Sequence, residues 1–235
     1  MFTTSKKYRD MYAEFGLGIK TGIDLPVESL GYSGSSKLPG HLLDFSIGQY
    51  DTYTPIQLSQ YVSTIAKNYD APLAINGGGF YDPGYNSSGG FPLGVTIRNG
   101  EIISNNESGY GMGSGGIIGF NQDNVLVLMK NNGAEAALNA GIRDAVTMGP
   151  FLIVNGKPST FKGNGGWGYA ARTAIGQRRD GIVLMLVVDS NEFRTKGASM
   201  VDLTQIMERY GAVNAANLDG GTSSVIAING EIIND

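Results

Sequence analysis

Residues 149–156 read Gly149-Pro150-Phe151-Leu152-Ile153-Val154-Asn155-Gly156, a short apolar run ending on an Asn-Gly pair. Asn-Gly supplies the two positive-φ positions of a type I′ turn, so the run predicts a strand entering a tight hairpin. Two further sites of this kind are hairpin candidates. Val95-Thr96-Ile97-Arg98 runs into Asn99-Gly100, and Val225-Ile226-Ala227-Ile228 runs into Asn229-Gly230. These two share the string Asn-Gly-Glu-Ile-Ile, but no fixed period links the three sites. They predict repeated hairpin chemistry, not a repeat architecture. Further strands are expected at 72–75, 125–129 and 182–188, the last apolar throughout and therefore expected at the centre of a sheet.

Two helices are well marked. Thr54 can cap one with Pro55 at its first position, and Leu58, Val62, Ile65 and Tyr69 form its apolar stripe. Ser199 and Asp202 form a capping box ahead of Leu203, Ile206, Met207 and Tyr210, and Gly211 ends that helix. A third, shorter helix is expected near 134–140, and a brief one near 8–15 in a loop-like front. The fold class is α/β or α+β: a mixed, strand-rich sheet with several hairpins and two to three helices.

Composition narrows the chemistry. The chain has 235 residues, 41% hydrophobic and 16% charged, enough apolar content for a sizeable core. Seventeen basic and 21 acidic side chains give a net charge of −4, which lends no support to nucleic-acid binding. Cysteine is absent and His41 is the single histidine, in a Gly/Pro/Ser-rich stretch. Disulfides, thiolate zinc sites, cysteine nucleophiles and Ser-His-Asp triads therefore drop out. No cofactor and no metal ligands are expected. No apolar run is long enough to span a membrane, and the first residues, Met-Phe-Thr-Thr-Ser-Lys-Lys, lack the apolar core of a signal peptide. Two strings match G-x-G-x-x-G, at Gly111/Gly113/Gly116 and Gly163/Gly165/Gly168, but neither opens a helix that could hold a pyrophosphate. Lys20-Thr21-Gly22 resembles a motif of penicillin-recognising enzymes, yet residues 1–55 hold no S-x-x-K serine to accompany it.

What remains is carboxylates, arginine, hydroxyls and backbone amides. Four loops at strand ends concentrate them. Asn76-Gly77-Gly78-Gly79-Phe80-Tyr81-Asp82 offers glycine-exposed N–H groups flanked by Asn76 and Asp82. Arg172 and Thr173 stand among small residues on an apolar segment, and an arginine so placed needs an anion, either a structural carboxylate or a substrate phosphate. Asp189 ends the run 182–188 and can be catalytic or merely cap a turn. The loop Asp219-Gly220-Gly221-Thr222-Ser223-Ser224 is dense in donors and acceptors. Convergent aspartates beside an arginine suit hydrolysis of a glycosyl bond that carries a phosphate.

Several of these segments carry a resemblance. Ala74-Ile75-Asn76-Gly77-Gly78-Gly79-Phe80, Gly94-Val95, the hairpin at 149–156, Ala171-Arg172-Thr173-Ala174-Ile175-Gly176 and Asn217-Leu218-Asp219-Gly220-Gly221 occur in order. In that order they resemble the phosphodiester glycosidase family from about Ser63 onward. The resemblance implies a mixed α/β hydrolase domain that releases an amino sugar such as N-acetylglucosamine from a phosphodiester. In bacteria it implies an extracytoplasmic setting and a glycosyl-phosphate, exopolysaccharide or cell-wall polymer as substrate. It implies a pocket containing Asn76, Arg172, Asp189 and Asp219, with Gly77, Gly220 and Gly221 in its walls. We add Asp82, Thr173 and Ser223 as substrate contacts and assign catalysis to Asp189, Asp219 and Arg172. Thr222 stands where the family usually has a third glycine, and the segment after Asp189 reads Ser-Asn-Glu-Phe-Arg.

The front carries a second resemblance. Residues 8–18, Lys20-Thr21-Gly22-Ile23-Asp24-Leu25-Pro26, Ser46-Ile47-Gly48-Gln49-Tyr50 and Tyr53-Thr54-Pro55-Ile56-Gln57-Leu58 look like class B penicillin-binding proteins, in a stretch between that family's catalytic motifs. The expected organisation is therefore 1–55 as a penicillin-binding-protein-like segment without catalytic motifs, then 56–235 as the glycosidase-like domain, one strand short at its C-terminus. The alternative to an active hydrolase is an inactive glycan- or wall-binding module, or a non-functional chimera.

Overall fold

The structure is a computed structural model that describes residues 62–81, 91–106, 116–130, 132–190 and 196–234. The expected helix near 8–15, the Thr54 cap, Leu58, His41, Gly111 and Gly113 of the first G-x-G-x-x-G string and Asp82 lie outside the described residues.

Helix α1 (Val62–Asn68) leads into strand β1 (Leu73–Ile75). Strands β2 (Phe80–Tyr81), β3 (Phe91–Pro92), β4 (Gly94–Arg98), β5 (Glu101–Asn106), β6 (Gly116–Asn121) and β7 (Leu126–Met129) follow. Helix α2 (Ala134–Asn139) precedes β8 (Ile142–Met148), β9 (Phe151–Val154), β10 (Lys157–Pro158), β11 (Arg172–Arg178) and β12 (Val183–Val188). Helix α3 (Met200–Arg209), β13 (Ala212–Asn217), β14 (Ile226–Ile228) and β15 (Glu231–Ile232) complete the order. Every described strand pair is antiparallel.

Two five-stranded sheets, ordered β5-β4-β8-β6-β7 and β10-β9-β13-β11-β12, dominate. A three-stranded sheet β1-β14-β15 and the ribbon β2-β3 accompany them. Alternation along the strands gives each large sheet two apolar faces. Ile118, Phe120, Val146 and Met148 of one sheet meet Ile175, Ala216 and Met185 of the other in a shared core, which Ile75 and Ile226 join. The outer face of the first sheet (Val95, Ile97, Ile117, Ala145) is covered by Ala134 and Ala137 of α2. The outer face of the second (Ala174, Leu186, Val188, Ala215) is covered by Met200, Leu203 and Met207 of α3. The order of layers is thus helix, sheet, sheet, helix. Each fully buried Ile, Leu or Phe side chain contributes roughly 1.5–3 kcal/mol to holding them together.

The three Asn-Gly pairs read as hairpins form the turns that the sequence predicts. Asn99, Asn155 and Asn229 have φ of 50°, 50° and 51°, and the glycines after them 79°, 75° and 75°. They close the β4–β5, β9–β10 and β14–β15 hairpins. The capping box at Ser199 is present in full: its hydroxyl accepts from the Asp202 amide while the Asp202 carboxylate accepts from the Ser199 amide. Gly211, with φ of 81°, follows that helix.

Two expectations need correcting. The apolar run 182–188 is the edge strand of its sheet, not a central one. It is apolar on both sides because Met185 and Val187 pack into the inter-sheet core, whereas Leu184, Leu186 and Val188 pack toward α3. A run apolar on both faces reports a sandwiched layer, which an edge strand can share. Tyr69, expected on the buried stripe of the first helix, is 38% exposed, because α1 ends at Asn68 and Asp70 turns the chain away at φ 51°.

Candidate functional site

Antiparallel pairing collects the candidate residues at one end of the second large sheet. Arg172 opens β11, Asp189 follows β12, and Asp219 lies two residues beyond β13. After β13 the chain still runs beside the start of β11: the Leu218 amide donates to Thr173 O at 2.9 Å, and the Gly221 amide to Ala171 O at 2.8 Å. This sets Asp219 and Gly220 alongside Arg172. A Cβ built on Gly220 would stand 3.0 Å from Ala171 O and 3.6 Å from Arg172 Nη1, so glycine here leaves the guanidinium's edge uncovered.

Asn76 is the junction. It is buried, its Oδ1 accepts from Thr173 Oγ1 at 2.6 Å and from the Val225 amide at 3.1 Å, and its Nδ2 donates to Asp219 O at 2.8 Å. The Asp219 amide in turn donates to Gly77 O at 3.1 Å. Asn76, Gly77 and Thr173 therefore fix the main chain that presents Asp219. The Asp219 side chain accepts from the Gly220 amide at 2.9 Å, and Ser223 hydrogen-bonds to the same carboxyl. Burial still dominates these two bonds and pushes the Asp219 carboxyl above the usual aspartate range, toward the protonated form.

Arg172 is 6% exposed. Its Nε donates to Ala198 O at 3.2 Å, and Nη2 donates to Trp167 O at 2.6 Å and Gly168 O at 3.1 Å. No carboxylate among the described residues pairs with it; the ion pairs there are Arg143–Asp144 and Arg178–Asp180. Burial lowers its pKa from the ordinary arginine value, but arginine stays charged. Three of the five N–H groups are thus used, and the two on Nη1 have no hydrogen-bond partner among the described residues. Nη1 is not among the polar atoms sealed from solvent without a partner. A single nitrogen, not the full fork, is what Arg172 can offer a ligand.

Asp189 is half-buried and accepts at Oδ1 from Asn234 Nδ2 at 2.8 Å. Asn234 also donates to Ser224 O at 3.0 Å and accepts from the Ile226 amide at 2.8 Å, so Asp189 is tied to the chain that follows the Asp219 loop. Arg172 pairs with Val188 across β11 and β12. Paired residues share a face, so the next residue, Asp189, leads to the opposite side of the sheet end from the guanidinium. Arg172, Asp219, Gly220, Gly221, Ser223, Asn76, Gly77 and Thr173 therefore come together, with Asp189 at the neighbouring strand end. Thr222, at the position of the missing glycine, is exposed.

Sequence reasoning passed over four partners: the carbonyls of Trp167, Gly168 and Ala198, and the Asn234 amide. The string Gly163-Asn164-Gly165-Gly166-Trp167-Gly168 was legible only as a failed nucleotide motif, although its left-handed glycines (φ 57°, 88°, 80° and 66°) shape the loop that Arg172 holds.

A protonatable carboxyl beside a buried guanidinium that pairs with no carboxylate among the described residues has the chemistry of an acid–anion site on an antiparallel, strand-rich scaffold. The chain belongs to the phosphodiester glycosidase family, whose model matches residues 69–235. The front matches the penicillin binding protein transpeptidase domain over residues 2–77, so the two matches overlap at 69–77. Penicillin-binding protein 2A of Bacillus subtilis (strain 168) is 68% identical over 59 residues, 25% of this chain and 8% of that protein. N-acetylglucosamine-1-phosphodiester alpha-N-acetylglucosaminidase of Bos taurus is 35% identical over 63 residues, 27% of this chain and 12% of that protein. The chain thus spans a small part of the length of either relative. The zebrafish catalytic domain of the same enzyme, solved as auto-inhibited by its pro-peptide, superposes with a TM-score of 0.59 at 22% identity, over 74% of this chain and 58% of that one. At that identity the likeness is one of fold. No helix among the described residues is long and apolar enough to cross a membrane.

Proposed function

We propose that residues 56–235 hydrolyse a glycosyl phosphodiester and release an amino sugar such as N-acetylglucosamine. The observation that carries this reading is Arg172: a buried cation, unpaired with any described carboxylate, with Nη1 open beside Gly220 and Asp219. A phosphate oxygen is the anion that such a nitrogen suits. The Asp219 carboxyl, whose hold on its proton burial strengthens, acts as general acid toward the bridging oxygen. Asp189 is the second carboxyl. In the proposed step it takes a proton from water as the water oxygen bonds to the anomeric carbon, the carbon–oxygen bond breaks, and the Asp219 proton goes to the departing phosphate. The carboxyl-bearing loops flank β11 on both sides, so their backbones are about 10 Å apart, twice the strand spacing.

The substrate class, an exopolysaccharide or cell-wall polymer outside the cytoplasm, follows the family resemblance and the penicillin-binding-protein-like front, 1–55, which lacks that family's catalytic motifs. Gly77, Gly220, Gly221 and Ser223 build the walls, Asn76 and Thr173 hold them from behind, and Asp82, outside the described residues, is expected as a further contact from the sequence alone. The test is release of N-acetylglucosamine from a glycosyl phosphodiester. Asp219→Asn and Arg172→Ala are each expected to lower kcat/KM by about 10²–10⁴. Full activity in both variants contradicts the assignment. Full activity in Asp189→Asn alone limits that carboxylate to holding Asn234. Polymer binding without sugar release identifies an inactive binding module instead.

A further inference from the structure

We propose that Trp167, with Tyr169 two residues along the same loop, is the wall on which the sugar ring stacks beside Arg172; this rests on the glycosyl-phosphodiester reading above. Trp167 is 46% and Tyr169 59% exposed, so each presents an aromatic surface to solvent. Exposure alone singles out neither, since Ile233 is 57% exposed. The backbone contacts do. Nη2 of Arg172 donates to the Trp167 carbonyl at 2.6 Å and to the Gly168 carbonyl at 3.1 Å, so the cation of the site holds the turn that carries the indole.

The loop is anchored elsewhere too. Asn164 Oδ1 accepts from the Gly166 amide at 3.0 Å, and the Gly165 amide donates to Lys162 O at 3.0 Å. A Cβ on Gly165 would lie 2.8 Å from Met200 Cβ, so the turn is pressed against the start of α3. Ala170 bridges Ala198, whose carbonyl also accepts from Arg172 Nε at 3.2 Å. The main chain that carries the indole is thus held in place before any ligand arrives, which lowers the ordering cost of binding. The C–H-rich face of a pyranose is the surface that matches an indole face, as the electron-rich ring attracts polarised C–H groups. With Nη1 taking the phosphate, the neighbouring indole is left for the sugar.

The chain has one tryptophan, so its emission reports on this residue alone. The full chain is titrated with N-acetylglucosamine 1-phosphate, with N-acetylglucosamine and with inorganic phosphate, and emission and iodide quenching are followed beside calorimetry. The expected result is a saturable emission change and reduced quenching with both sugars and none with phosphate. Trp167→Ala is expected to weaken sugar-phosphate binding about tenfold, and to raise KM for the glycosyl phosphodiester with kcat nearly unchanged; Trp167→Phe restores most of the affinity. Sugar phosphate that binds by calorimetry without altering emission or quenching overturns the proposal, as does equal affinity in Trp167→Ala. Turnover with an indifferent Trp167 defeats the stacking wall alone. A sugar-sensitive Trp167 without turnover defeats the hydrolase reading and leaves the wall standing.

Discussion

At the scale of single residues, Arg172 and Asp219 pull against ordinary protein economy. A buried guanidinium normally has a carboxylate, and a buried carboxyl normally has a cation. Here each is held mainly by peptide groups: Arg172 by three carbonyls, Asp219 by the Gly220 amide with help from Ser223. The consequence for stability is signed. Because burial raises the Asp219 pKa, the folded chain binds its proton more tightly than the unfolded chain does. Stability should fall as pH rises from the ordinary aspartate range through the elevated folded value. Asp219→Asn is therefore expected to be as stable as the parent in acid and more stable at pH 7, which urea melts at pH 3.5 and 7 would show. In the same variant the basic limb of the pH–rate profile should vanish together with the activity. The burial of Arg172 was legible in the sequence, because it stands among small residues on an apolar segment. That it gives three N–H groups to the Trp167 loop and Ala198 was not, since backbone carbonyls leave no trace in residue type.

At the scale of elements, local chemistry read well wherever it is self-contained. The Asn-Gly hairpins and the Ser199–Asp202 box depend on a few consecutive residues, and all of them form. Ser199→Ala is expected to cost about 1 kcal/mol, measured as a lower denaturation midpoint at unchanged m-value. Hydrogen bonds from the Ser199 side chain and backbone hold the Asp202 carboxyl below its usual range. Its contribution should therefore be present above that range and be lost as pH falls through the lowered value. The place of β12 was not legible, because a run apolar on both faces looks alike at the edge and at the centre of a layered sheet. Gly197 shows how loop and site are linked. Its φ is 81°, and an added Cβ would lie 2.1 Å from Ala170 O. Gly197→Ala should destabilise by about 1–3 kcal/mol or more and, by shifting Ala198, loosen Arg172. Activity assays on the folded fraction should then show a raised KM.

At the scale of the molecule, the two large sheets share a core and each carries a helix on its outer face. That layering was only partly legible, since strand pairing joins segments as distant as Leu73 and Ile228. The same antiparallel order brings the start of β11 and the ends of β12 and β13 to one place. The meeting of Asn76 with Asp219 across 143 residues is thus a property of topology. In the sequence these loops were connected by the family resemblance, not by spacing. The family match at 69–235 and the front match at 2–77 agree with that reading of the chain. The most direct measurement is a crystal structure of the full chain with N-acetylglucosamine 1-phosphate. The account predicts a phosphate oxygen within hydrogen-bonding distance of Arg172 Nη1, with the Asp219 carboxyl facing the glycosidic oxygen. Sugar phosphate seated away from Arg172, with Nη1 bound to water alone, would contradict it.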